Sequence, residues 1–184
     1  YTTIWMDTLR SGTFGLSNTN KLIRFYEGAT GLKTGFTQEA GYCISATAER
    51  EGMELIAVVM KGETADKRNT DAKALLNYGF SAYTLVSAAP EEPLPALPVT
   101  MGEAEQVGLT LPETGVTAVV EKAQASSLEY RVDLPETLAA PIQQGQQVGT
   151  LTLCSGDTEV LTVPILAAES VPGRSWGRMF TDLL

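Results

Sequence analysis

The pattern of apolar and polar positions divides the chain into two halves. Two runs rich in β-formers and small residues, Tyr42 to Glu49 and Met53 to Met60, flank Arg50-Glu51-Gly52. This predicts a hairpin, with glycine available for positive φ. With a strand around Lys33 they make at least three antiparallel strands. After Lys61-Gly62-Glu63 the period changes. Thr64 is placed to cap a helix in which Ala65, Ala72, Leu75, Leu76, Gly79, Phe80 and Tyr83 recur at helical spacing, and that helix is expected to pack across the sheet. Upstream, Tyr1 to Arg10 opens apolar and Ser11-Gly12-Thr13 reads as a turn before Phe14. Asn18-Thr19-Asn20 is either a cap for a helical turn over Lys21 to Phe25 or a plain loop.

From Ala88 the pattern breaks. Ala88 to Pro98 holds four prolines and no helical period, which reads as a stiff linker. Short strand candidates follow: Val99 to Met101, Gln106 to Leu111, Val116 to Val120, Leu128 to Leu134, Val148 to Leu153 and Val160 to Ile165. Closely spaced strands separated by turn residues predict an all-β module, a small sandwich or barrel. Beyond Pro172-Gly173, Trp176, Met179, Phe180, Leu183 and Leu184 fall on one helical stripe, with Arg174 and Arg178 off it. That is the pattern of an interfacial membrane anchor, or of a terminal helix docked on protein. The expected organisation is therefore 1–87, a linker at 88–98, a β-module at 99–168 and a tail helix at 169–184.

Composition narrows the chemistry. With 43% hydrophobic and 19% charged residues the chain has the makeup of a globular protein able to bury a core. Thirteen basic against 22 acidic residues give a net charge of −9, with no basic cluster, and this argues against nucleic acid as a partner. Histidine is absent, which excludes nucleophile arrangements with an imidazole base and most zinc sites. A lysine-based serine mechanism is untouched by that exclusion. Cys43 and Cys154 stand far apart in strand-like runs and read as small buried hydrophobes.

The candidate chemistry lies in Lys33-Thr34-Gly35, within the stretch Gly28 to Tyr42. A lysine ammonium stabilises an anion or orients a hydroxyl, and the adjacent threonine can hydrogen-bond a carboxylate. Glycine removes the Cβ, so that an extended peptide can lie against the strand. Taken alone, three common residues read first as an ordinary solvated strand end.

Their surroundings carry a resemblance. Asn18-Thr19-Asn20-Lys21-Leu22, Tyr26 to Thr37, Ala40-Gly41-Tyr42-Cys43 and Leu75 to Phe80 resemble, at matching spacing, the low-molecular-weight penicillin-binding proteins, the serine-type D-alanyl-D-alanine carboxypeptidases. The family joins Lys-Thr-Gly to Ser-x-x-Lys and Ser-x-Asn elements that lie upstream. Neither stands in this sequence in the required place, so the chain is expected to be the C-terminal part of a longer protein. Ala140 to Leu151 resembles the family's second domain. It is also loosely similar to the turn of lipoyl carrier domains, but lacks their lysine at a hairpin tip.

The resemblance implies an α+β fold: the C-terminal part of a serine transpeptidase/β-lactamase-like domain, an antiparallel sheet with a covering helix, followed by a small all-β sandwich. It implies removal of the terminal D-alanine from peptidoglycan stem peptides through an acyl-enzyme, sensitivity to β-lactam antibiotics, and no cofactor. Lys33 would orient the second-motif serine and supply positive potential, Thr34 would bind the substrate's carboxylate, and Gly35 would leave room for its backbone. Arg68 is either a solvated helix charge or a cleft residue attracting that carboxylate. Phe36, where the family often has a small polar residue, bears on substrate preference. The remaining implied partners are the N-terminal part of the same protein and, through the tail, the outer face of the cytoplasmic membrane. The other readings are a noncatalytic cell-wall-binding module and a β-lactamase. The β-module and tail favour the carboxypeptidase, since β-lactamases ordinarily have neither.

Overall fold

In the computed structural model, residues 1–90 and 92–175 are described. The chain divides into two compact units, Tyr1–Thr84 and Leu85–Leu184. In the first, a hairpin of β1 (Met6–Leu9) and β2 (Phe14–Ser17) precedes a single helical turn, α1 (Leu22–Phe25). Next come β3 (Ala29–Thr37), β4 (Gly41–Arg50) and β5 (Met53–Gly62), an antiparallel sheet in that order, and then α2 (Ala65–Ala82). β3 is therefore an edge strand, paired to β4 alone among the described residues.

Alternation along the strands decides which face α2 covers. Ile44, Ala46 and Ala48 of β4, with Ala57 of β5, point to one side and are buried with Leu22, Tyr26, Ala72 and Leu76. Each large side chain so buried contributes about 1.5–3 kcal/mol. The small residues between them bring the helix close. A Cβ added at Gly79 of α2 would meet Leu55 Cδ1 at 2.5 Å, so a side chain there would have to displace the end of Leu55. α2 starts where the pattern predicts, with Thr64 Oγ1 accepting from Lys67 N at 3.1 Å.

The opposite sheet face has a different character. Ile56, Val58 and Met60 of β5 are exposed. The register places Lys33, Ser45 and Val58 in one row across the three strands, so Lys33 shares that open face while Thr34 belongs to the side of α2.

β6 (Tyr83–Ser87) leads into the second unit. There β7 (Leu97–Thr100), β8 (Gln106–Val107) and β12 (Leu138–Ala139) form a three-stranded sheet. A four-stranded sheet runs β11 (Leu128–Asp133), β13 (Gln147–Ser155), β14 (Thr158–Ala167), β9 (Leu109–Thr110). β10 (Thr117–Glu121) and a short helix, α3 (Lys122–Ala125), complete the unit. Two apolar clusters form its core, one around Val107, Ile142 and Val171, the other around Leu151, Val163 and Ile165. Cys154 is buried and Cys43 half-buried, both free.

The structure splits Gln106 to Leu111, read as one strand, into β8 and β9 of different sheets, and it departs from the sequence reading in the proline-rich stretch and in the tail. The proline-rich stretch 88–98, read as a stiff linker, packs into the second unit: Ala88 is buried and donates its N–H to Val116 O at 2.7 Å, while Leu97 and Pro98 belong to β7. Apolar residues between the prolines carry it into the core. In the tail, Val171 and Gly173 make β-bridges to Ile142 and Gly102, and Arg174 Nε donates to Gly102 O at 2.7 Å. The segment 169–175 is thus extended and not helical. The stripe Trp176, Met179, Phe180, Leu183 and Leu184 lies outside the described residues.

Candidate active site

The first unit holds an open cleft lined by Thr19, Thr34, Gly35, Phe36, Tyr42 and Arg68, with Lys33 at its edge. Three pieces of local structure build it. The first is the polar segment before α1. Asn20, 2% exposed, donates from Nδ2 to Gly31 O at 2.8 Å and accepts at Oδ1 from Leu22 N at 3.1 Å. One side chain therefore caps the helical turn and fastens it to β3. Of the two readings of Asn18-Thr19-Asn20, the cap is the observed one. The neighbouring Thr19 hydroxyl is thereby held 2.8 Å from the Thr34 hydroxyl.

The second piece is β3 itself. Thr34 is buried against the α2 side, whereas Lys33 is exposed, and the Lys33 ammonium donates to Thr34 O. Gly35 has open space around it: a Cβ built there would meet nothing within 4 Å. Folding thus places no steric demand on this glycine.

The third piece is the start of α2. Arg68 is 5% exposed, so it is no solvated helix charge. Its Nε and Nη2 donate to Asn69 Oδ1 at 3.1 and 3.0 Å, and Nη1 donates to Cys43 O at 3.4 Å. Arg68 is in helical phase with Ala72, Leu76 and Gly79, the residues that face the sheet, and that phase was the signal for its burial. Gly62 makes the approach possible, since a Cβ there would lie 3.0 Å from Arg68 Cβ. Burial pushes the Arg68 guanidinium below its ordinary value, opposed by Cys43, Tyr42 and Asp66. The group remains a cation at neutral pH.

Chemically, this is an edge strand with a fixed hydroxyl and a buried cation on one side, and an ammonium on the other. It can take an extended peptide as an added strand and hold a carboxylate.

The D-alanyl-D-alanine carboxypeptidase (S11 peptidase) model matches residues 1–64, and the model of the penicillin-binding protein 5 C-terminal domain matches residues 86–173. The chain belongs to the D-alanyl-D-alanine carboxypeptidase family. Among the carboxypeptidases similar to it, DacF of Bacillus subtilis is 35% identical over 92% of this chain and 44% of its own length. DacC of Escherichia coli is 31% identical over 82% of this chain and 38% of its own. The chain thus spans less than half the length of these relatives. In fold it is similar to penicillin-binding protein 5 from Haemophilus influenzae, with a TM-score of 0.76 at 24% identity, over 93% of this chain and 50% of that one. A peptidoglycan synthesis regulatory factor, PBP3 of Streptococcus pneumoniae, matches at a TM-score of 0.65 and 25% identity, over 92% and 50%.

Within this carboxypeptidase-family chain, the cleft joins Thr34, Gly35 and Arg68, with Lys33 at the rim facing the open side of the sheet. Sequence reasoning did not single out Thr19 and Asn20 as supports of Thr34 and β3, nor the contact of Phe36 with Tyr42. Period-2 alternation puts Phe36 on the side of Thr34, and that was the available signal for the last.

Proposed function

We propose that the protein containing this chain is a serine D-alanyl-D-alanine carboxypeptidase that removes the terminal D-alanine from peptidoglycan stem peptides outside the cytoplasmic membrane. The observation that carries this reading is the edge strand with Lys33, Thr34 and Gly35 at the mouth of a cleft backed by Arg68.

The substrate adds to β3 as an extended strand. Its terminal carboxylate is held by the Thr34 hydroxyl, with the Arg68 cation supplying favourable potential from beneath. Its backbone passes over Gly35, where no side chain intervenes. A serine of the N-terminal part attacks the carbonyl between the two D-alanines. The C–N bond breaks, D-alanine leaves with a proton, and water hydrolyses the resulting ester. Lys33 orients the second-motif serine and supplies positive potential from the open face of the sheet. β-Lactams, whose carboxylate and strained amide match the same contacts, acylate the same serine.

The N-terminal part of the protein packs on the face that exposes Ile56, Val58 and Met60, a contiguous apolar row of the kind that marks a contact surface. The catalytic domain then ends near Thr84, stretch 88–98 forms the first part of the β-module, and residues 169–184 lead to a membrane contact. The β-module serves as a spacer or interaction platform.

The test is D-alanine release from a stem pentapeptide by the full-length protein and by Lys33→Ala. Release by the wild type and a loss of about a hundredfold or more in the variant are expected, the scale of a lost electrostatic contact at a reacting centre. No release by the folded wild-type protein overturns the proposal.

A further inference from the structure

Phe36 stands two residues beyond Thr34 on β3, so the two side chains share a face of the strand. The register sets Phe36 directly opposite Tyr42 on β4. Their ring centroids lie 4.4 Å apart with planes inclined by 38°. Phe36 is nonetheless 57% exposed, and both rings line the same cleft as Thr34 and Arg68. Beyond its contact with Tyr42, the exposed part of the ring gains apolar contact only from what is laid against it.

The neighbouring groups identify the ligand chemistry. Lys33, Thr34, Gly35 and Arg68 present charge, hydroxyl and open backbone. These groups recognise a carboxylate and a peptide backbone, which every C-terminal residue has, and so they do not distinguish one side chain from another. The rings are the apolar part of the cleft beside the carboxylate donors, and the side chain of a C-terminal residue held there is set against them.

We propose that Phe36, braced by Tyr42, is the specificity wall of this cleft, admitting a C-terminal residue with a side chain of the alanine class and excluding bulkier ones. This rests on the carboxypeptidase reading above and adds to it the residues that set the size limit. A ring at position 36 occupies volume that a longer substituent needs. The adjoining Tyr42 ring resists its displacement, because turning Phe36 aside gives up an aromatic contact.

The experiment compares kcat/KM of the full-length protein on two peptides, one ending in D-Ala-D-Ala and one in D-Ala-D-Leu. The wild type is expected to prefer the first by about tenfold or more, the discrimination that a few methylenes supply in a confined pocket. Phe36→Ala should raise the relative rate on the D-Leu peptide by about tenfold, with a smaller change on the D-Ala peptide. Phe36→Tyr should keep the wild-type ratio, and Tyr42→Ala should shift it in the direction of Phe36→Ala. The inference is overturned if Phe36→Ala cleaves the D-Ala peptide with the wild-type ratio, or loses both activities in parallel. A wild-type protein that releases D-alanine from neither peptide defeats the carboxypeptidase reading itself, a result distinct from an active enzyme with unaltered selectivity.

Discussion

The hydroxyls of Thr19 and Thr34 meet at 2.8 Å, across the gap between the segment before α1 and the edge strand β3. The contact restricts the Thr34 side chain to one orientation before any ligand arrives. Such preorganisation lowers the entropic cost of binding.

Thr34→Val should therefore lower kcat/KM for stem peptide by about 10–100-fold, the value of a hydrogen bond to a charged acceptor. Thr34→Ser should retain most activity. Thr19→Ala, which frees the Thr34 hydroxyl without removing it, should cost less than Thr34→Val. Steady-state kinetics of the full-length variants checks the order.

Gly35 separates folding from function. A Cβ at this position meets nothing within 4 Å, so Gly35→Ala should change stability by no more than about 0.5 kcal/mol. The same methyl group would stand where a substrate backbone approaches the strand. Unchanged urea unfolding together with slowed acylation by a β-lactam is the expected pair of results.

Arg68 has both roles at once. Its fork donates to Asn69 Oδ1 and to the Cys43 carbonyl, and a lysine cannot reproduce that geometry. Arg68→Lys should cost about 1–2 kcal/mol of stability through weakened hydrogen bonds and raise KM more than it lowers kcat. Thermal unfolding and peptide kinetics read the two effects separately.

The sheet, its hairpin and the capped helix α2 were legible because strand alternation and helical period are local signals, and Thr64 caps the helix as its side chain predicts. The Lys33-Thr34-Gly35 strand was legible as a motif with a family resemblance. What lay beyond reach depends on contacts distant in sequence. Asn20 reaches Gly31, and Thr19 reaches Thr34. The stretch 88–98 misled because its prolines suggest a linker, while Ala88 and Leu97 between them supply core contacts.

Tyr26 couples the first unit's stability to pH. Burial raises its phenol above the ordinary 10.0, with nearby Arg50 opposing. Its hydroxyl donates to Asn77 Oδ1 at 2.9 Å. The folded state holds this proton more tightly than the unfolded chain does. Its contribution is thus complete below the unfolded value and is lost as pH rises through the raised folded value. Between about pH 9 and 12 the wild type should lose stability more steeply than Tyr26→Phe, as measured by urea unfolding. Parallel slopes would remove Tyr26 from the account.

The most direct test of the central claim is the intact mass of the full-length protein after exposure to benzylpenicillin, for the wild type and for Lys33→Ala with its fold checked by circular dichroism. One covalent penicillin adduct per wild-type molecule and a greatly slowed adduct in the variant are expected. An unlabelled wild type, or a variant labelled at the wild-type rate, would contradict the assignment of this edge strand to a penicillin-recognising active site.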